Sequence, residues 1–172
     1  MKCLRGSGNV LVCTDTAGRV LELAHLVDQL WKENSGLTAY SAALLNNVST
    51  SVIDFAKSQV EWMNERIHRS FSEDRYNPFN FKSLKLCDSI EDINKLSSPK
   101  LVLCSTPDME CGFSRELFPE WCNDEKNLVI FTKRPTVNTF ARSVLDNHGS
   151  LIPIQVSLDE SIYSSNSKIK NK

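Results

Sequence analysis

A short, β-branched apolar run followed at once by an amphipathic helix constrains this chain more than any other feature. Residues 9–14 (NVLVCT) lie between Gly8 and the polar Asp15-Thr16, the pattern of a strand buried on both faces. Val20, Leu23, Ala24, Val27, Leu30 and Trp31 then recur at three and four residues, with Glu22, Asp28 and Lys32 on other faces, until residues 34–36 (NSG) stop the pattern. Trp31 closes that apolar stripe. The unit repeats: residues 37–45 form a second candidate strand, and Val52, Phe55, Ala56, Met63 and Ile67 predict one long helix capped within Ser49-Thr50-Ser51. Two strand–helix units in succession argue for a parallel sheet.

From Ser72 to Pro99 the periodicity lapses. Asn77-Pro78 ends any helix, Phe79 and Phe81 are suited to cover the sheet, residues 84–87 are a short candidate strand, and Ser97-Ser98-Pro99 is a turn. Regularity returns with candidate strands at 101–105, 128–132 and 151–156 and candidate helices at 114–122 and 137–145. The expected fold is α/β and doubly wound, a mostly parallel sheet with helices on both faces. Residues 1–8 form a short lead-in, 9–157 the domain, and 158–172 a Ser/Lys-rich tail too polar to enter a core, expected to be disordered.

A chain of 172 residues buries roughly 70% of its unfolded surface, enough for one core without staples. Lys+Arg 20 against Asp+Glu 21 gives a net charge of -1, so no diffuse basic field exists and any RNA contact must be local. No stretch approaches the roughly 20 apolar residues of a membrane span, and no apolar leader run follows Met1. The expectation is an intracellular protein without membrane contact. Its six cysteines stand singly and are read as reduced thiols, and Asn47-Val48-Ser49 is then only a polar turn.

Candidate chemistry is sparse. Zinc needs donors at short, fixed spacings, and neither the cysteines nor His25, His68 and His148 supply them, so no metal site is expected. Ser114, within Cys111-Gly112-Phe113-Ser114-Arg115, lacks the G-x-S-x-G pattern and reads as a helix N-cap rather than a nucleophile, while Pro119 should kink or shorten that helix. No catalytic residue and no cofactor are expected. Residues 14–19 and 111–115 each join a strand's carboxyl end to a helix start beside an arginine, where free N–H groups and the helix dipole favour phosphate. Neither carries a glycine-rich phosphate fingerprint, and Gly18 equally serves close helix–sheet packing. Lys133-Arg134 also follows a strand, at the end where doubly wound sheets bind ligands, and is otherwise a solvated turn.

Four blocks carry a family resemblance: residues 8–23 (GNVLVCTDTAGRVLEL), 44–49 (LLNNVS), 57–63 (KSQVEWM) and 110–118 (ECGFSRELF). In this order, from about Gly8 to Asn147, the chain resembles the β-CASP domain of the cleavage and polyadenylation specificity factor family, a cap on the metallo-β-lactamase fold. Asp15-Thr16-Ala17 before Gly18-Arg19, residues 45–49 (LNNVS), and residues 110–113 (ECGF) before Ser114-Arg115 resemble the catalytically inactive subunit type more than its nuclease sister. In the nuclease the zinc ligands lie in the lactamase part and in histidine motifs beyond the cap, and this chain has no H-x-H-x-D-H. In the family the domain is an insert, whereas Met1 here stands just before it and a Ser/Lys-rich tail leaves it.

The resemblance implies a non-catalytic role in pre-mRNA 3′-end cleavage and polyadenylation in the nucleus. It implies a catalytic nuclease subunit and a symplekin-like scaffold as partners, with pre-mRNA as a further contact and no small-molecule substrate. The candidate RNA-binding residues are Arg19, Arg115, Lys133 and Arg134. The competing reading pairs Arg19 and Arg115 with acids such as Asp15 and Glu116, which fixes the loops. Rival functions are a small nucleotide- or phosphate-binding α/β enzyme using the Gly18-Arg19 and Ser114-Arg115 helix starts, and a fragment of an active zinc-dependent RNA endonuclease.

Overall fold

The computed structural model of the chain describes residues 2–74 and 76–147. The candidate strand at 151–156, the tail at 158–172 and His148 lie outside the described residues. Five strands, β1 (Val10–Thr14), β2 (Ser41–Leu45), β3 (Leu84–Cys87), β4 (Lys100–Ser105) and β5 (Leu128–Phe131), form one sheet in the order β3-β2-β4-β1-β5. Every neighbouring pair is parallel. The helices are α1 (Lys2–Arg5), α2 (Arg19–Glu33), α3 (Ser49–Ser58), α4 (Glu65–Asp74), α5 (Ile90–Asn94), α6 (Phe113–Trp121) and α7 (Phe140–Asp146).

Alternation along the strands makes two cores. Val10, Val12, Ala42, Leu44, Leu84 and Leu103 face α2 and α3, meeting Val20, Ala24, Val27, Trp31, Ile53 and Ala56. Leu11, Cys13, Ala43, Leu45, Val102 and Cys104 face the other way, meeting Ile93, Leu117, Phe118, Trp121 and Ala141 from α5, α6 and α7. The sheet is therefore doubly wound, as the unbroken apolar strand sequences require. Burial pushes the Cys13 thiol up to about 12 and the Cys104 thiol well above its ordinary value, which leaves both unreactive near neutral pH. Cys111 and Cys122 are exposed, and all six cysteines are free thiols.

Several elements depart from the sequence reading. Residues 35–37 form a 3-10 turn that buries Leu37, so the second strand begins only at Ser41. The long helix after it is broken. The first piece ends at Ser58, residues 60–62 make a 3-10 turn, and Asn64 starts α4 by accepting the Ile67 N–H at 3.0 Å. Phe55 is 68% exposed although its spacing matched the core stripe, because α3 buries the face of Ser49, Ile53 and Ala56 and Phe55 lies off it. Ser49 is no cap: it lies inside the first turn and its hydroxyl donates to Asp88 at 2.7 Å. Residues 90–94, unassigned from sequence, form a short helix capped by Ser89, whose hydroxyl accepts the Asp92 N–H. Val137 lies before α7, which Thr139 caps.

Two buried polar groups also escaped the periodicity. Asp28 is buried, and one of its oxygens accepts the N–H groups of Lys82, Ser83 and Leu84 at 2.9, 2.7 and 3.2 Å, fastening the entry of β3 to α2. Lys100 is buried too, its ammonium donating to the carbonyls of Ile93 and Leu96 at 2.7 and 3.0 Å where α5 ends. Asp28 thereby satisfies backbone N–H groups at the entry of β3, and Lys100 adds a charged donor to carbonyls at the end of α5.

Candidate functional site

All five strands end on the same rim, and the sequence placed its candidate cations in the loops that leave it. The order β4-β1-β5 sets the Arg115, Arg19 and Lys133-Arg134 loops on three adjacent strands. The sheet thus brings the three loops side by side, although they lie far apart in the chain.

The first loop supplies its own anion. Asp15 accepts the N–H of Arg19 at 3.2 Å and that of Val20 at 2.9 Å, so a carboxylate already sits on the free donors at the start of α2. Gly18 has φ +90 directly before this helix, a conformation open to glycine at little cost. The expected pairing with Asp15 therefore goes through backbone rather than through the guanidinium, and Arg19 projects exposed into solvent. Asn46, buried at the end of β2, donates to the Thr16 carbonyl at 3.1 Å and ties the neighbouring loop to this one.

The second loop is braced in the same manner. Ser114 does not cap α6. Gly112 (φ +78) occupies the N-cap, while the Ser114 hydroxyl, fully buried, donates to the Thr106 carbonyl at 2.7 Å. A side chain at Gly112 would press on the Ser105 carbonyl at 3.1 Å. Arg115 donates to the Met109 carbonyl at 3.2 Å, and its guanidinium lies 5.3 Å from the centre of the Phe140 ring. That places Arg115 in a structural brace.

Two acids that the sequence reading passed over lock the second loop to the third. Asp108 accepts the Thr136 N–H at 3.0 Å and hydroxyl at 3.2 Å, and Lys133 pairs with it at 3.4 Å. The Thr136 backbone N–H above all holds the Asp108 carboxyl below the usual carboxylate range. Glu110 accepts the N–H of Phe140 at the start of α7. Only the Pro107-Asp108 turn signal could have pointed here, and it does not say which loop the acid would reach. Arg134 is exposed, with no hydrogen bond or ion pair among the described residues.

Of the four sequence candidates, then, Arg19 and Arg134 are solvent-facing, Lys133 is shared with Asp108, and Arg115 is built into the fold. The rim mixes them with Asp15, Asp88, Asp108 and Glu110, so it carries no uniform positive field. Among the described residues no three His, Cys, Asp or Glu side chains gather into a metal-binding group. His25 contacts the Pro78 carbonyl through Nδ1 at 3.1 Å, and His68 is exposed on α4.

Comparison with known proteins fixes the family. A Beta-Casp domain model matches residues 20–144, which takes in β2 to β5, α3 to α6 and most of α7. The chain belongs to the Beta-Casp domain family. It is 53% identical over 149 residues to the probable cleavage and polyadenylation specificity factor subunit 2 of Drosophila melanogaster, covering 86% of this chain and 20% of that protein. It is 41% identical over 143 residues to the subunit 2 of Oryza sativa subsp. japonica, covering 83% of this chain and 19% of that one. Against Endoribonuclease YSH1 of Candida glabrata the identity is 30% over 141 residues, 80% of this chain and 18% of that protein. The Beta-Casp resemblance seen in the sequence blocks, and its leaning toward the subunit 2 type, are borne out. The chain spans about a fifth of the length of these curated relatives.

Proposed function

We propose that this Beta-Casp domain is a non-catalytic assembly module of the nuclear machinery for pre-mRNA 3′-end cleavage and polyadenylation. Its partners in this reading are a catalytic nuclease subunit and a symplekin-like scaffold. The relatives named subunit 2 support the process, and their higher identity than the endoribonuclease supports a role beside the nuclease. The observation that carries the reading is the self-closed rim: Asp15 occupies the helix start where a phosphate would bind, and Asp108, Glu110 and Arg115 are spent on bracing loops. The same observation counts against a nucleotide- or phosphate-binding enzyme. A nucleotide at 100 times its Kd would stabilise such an enzyme by about 2.7 kcal/mol, and no thermal shift is expected here.

The purified chain is expected to retain no stoichiometric zinc after dialysis, to cleave no RNA, and to bind the recombinant nuclease subunit in solution. One equivalent of zinc retained and then lost on mutating a Cys or His, or RNA cleavage by the chain alone, would overturn the reading.

A weak RNA contact is the second part of this proposal. Arg19 and Arg134 are the exposed cations on neighbouring loops, with Lys133 partly neutralised by Asp108. Such contacts read backbone charge, so affinity should be indifferent to base sequence and fall with salt at a slope near -0.7 per phosphate neutralised on a single strand. Arg19→Ala/Arg134→Ala should flatten that slope by about one, and an unchanged affinity and slope would remove these residues from any RNA path. Arg115→Ala is unsuitable as the test, because it disturbs the loop that Arg115 braces.

A further inference from the structure

Phe55 and Trp62 are 68% and 85% exposed, two large aromatic surfaces that belong to neither core. They are part of a row. Residues 48, 52, 55, 59 and 62 (V, V, F, Q and W) are spaced 4, 3, 4 and 3, the spacing of one helix face that meets another helix. Val48 is 43% exposed, and Val52 and Gln59 are half-buried. Residues three apart eclipse in a 3-10 turn, so Trp62, whose N–H donates to the Gln59 carbonyl at 3.0 Å, continues the row past the end of α3. The row is about 20 Å long.

The same segment is already seated without it. Ser49, Ile53, Ala56 and Val60 are at most 4% exposed and fasten α3 and the following turn to the sheet. A surface helix needs one apolar face to stay folded, and this segment has a second to spare. Contiguous exposed apolar surface of this kind marks an interaction site.

We infer that this row docks an amphipathic helix of another protein, one with basic residues beside its apolar face. Charge selects that occupant. Each exposed aromatic directly follows an exposed acid, Asp54 before Phe55 and Glu61 before Trp62, seven residues or two turns apart. Lys57 is tied to Asp54 at 3.0 Å and Arg69 to Glu65 at 2.9 Å, while Glu61 has no ion pair among the described residues. Bases stack on exposed aromatics, but the phosphates of an RNA would meet these carboxylates with the nearby cations already engaged. A second copy of this chain would bring the same acids to the contact, its own Lys57 held by Asp54. A helix with Lys or Arg at its flanks answers Glu61, and Gln59, polar in the middle of the row, sets its register. Such a face belongs to the assembly role proposed above, and since its test uses peptides rather than the nuclease subunit, either can fail without the other.

The probe is a library of 21-residue helical peptides, with Leu, Ile, Phe or Met at the a and d positions and Lys, Glu or Ser at e and g, selected against the full chain. Bound peptides should be enriched in Lys over Glu at the flanks. Trp62→Ser and Phe55→Ser should each weaken them by at least about 10-fold, as expected of aromatic anchors, with the thermal midpoint unchanged. Glu61→Lys should turn the flank preference from Lys to Glu. Absence of binders, binders without a flank preference, or binders indifferent to all three substitutions would overturn the proposal. So would poly(U) binding that Trp62→Ser abolishes, or a dimer in light scattering that it dissolves. Should the aromatic variants fail to fold, Glu61→Lys, a change at an exposed position, decides.

Discussion

Trp31→Ala is expected to destabilise the chain by about 3–5 kcal/mol, the range for emptying a buried aromatic site. Trp31 ends the apolar stripe of α2, is 4% exposed, and packs in the core beneath β1, β2 and β4. Its indole N–H also donates to the Tyr40 carbonyl at 2.8 Å, which fixes the chain as it enters β2. Truncation leaves a cavity and an unpaired carbonyl together. At roughly 2–4 °C per kcal/mol for a chain of this size, the thermal midpoint should fall by roughly 6–20 °C. Trp31→Phe keeps most of the volume and should cost only about 1 kcal/mol beyond its smaller cavity, the worth of one hydrogen bond. An unchanged midpoint in Trp31→Ala would show that α2 does not close this core.

The second large effect belongs to Asp28. Its carboxylate is buried at the middle of α2 and receives three consecutive N–H groups from the segment that starts β3. Hydrogen bonds to a charged acceptor contribute about 1.5–3 kcal/mol each and do not add in full when they share one atom, so Asp28→Ala should cost about 3–5 kcal/mol. Asp28→Asn retains an acceptor oxygen without the charge and should cost less, about 1–2 kcal/mol. Hydrogen exchange gives a second readout, because Lys82, Ser83 and Leu84 lose their acceptor and should exchange faster in the Ala variant. Equal midpoints and equal exchange in wild type and Asp28→Ala would show that this anion holds nothing.

Asp28 also marks where reading the sequence stops. Helical spacing correctly assigns Val20, Ala24, Val27 and Trp31 to one buried face, because periodicity in apolar residues reflects what a helix can bury. The same spacing puts Asp28 on another face with Glu22 and Lys32, and nothing within α2 announces that the segment entering β3, beginning 54 residues later, brings three donors to it. Phe55 fails in the opposite sense. Its spacing suits a stripe drawn through Met63 and Ile67, but the helix ends at Ser58 and α3 by itself buries the face of Ser49, Ile53 and Ala56, which leaves Phe55 in solvent.

The candidate site divides the same way. That Arg19, Arg115 and Lys133-Arg134 leave carboxyl strand ends was legible, since each follows an apolar run with a turn signal. Their fates were not. Ser114 looked like a cap and became a hydroxyl tie to Thr106; Asp15 looked like a partner for the Arg19 side chain and took the backbone N–H groups instead.

Most elements, the parallel class of the sheet and the family were legible in the chain alone, because strand burial, helical periodicity and the motif blocks are local properties written in consecutive residues. The order β3-β2-β4-β1-β5, the bracing of one loop by another through Asp108 and Glu110, and the choice of which arginine remains in solvent emerged only on folding in three dimensions. Those depend on partners far apart in the chain. A hydrogen bond or ion pair is chosen by what the fold brings within about 3 Å, and side-chain chemistry alone does not say what that will be.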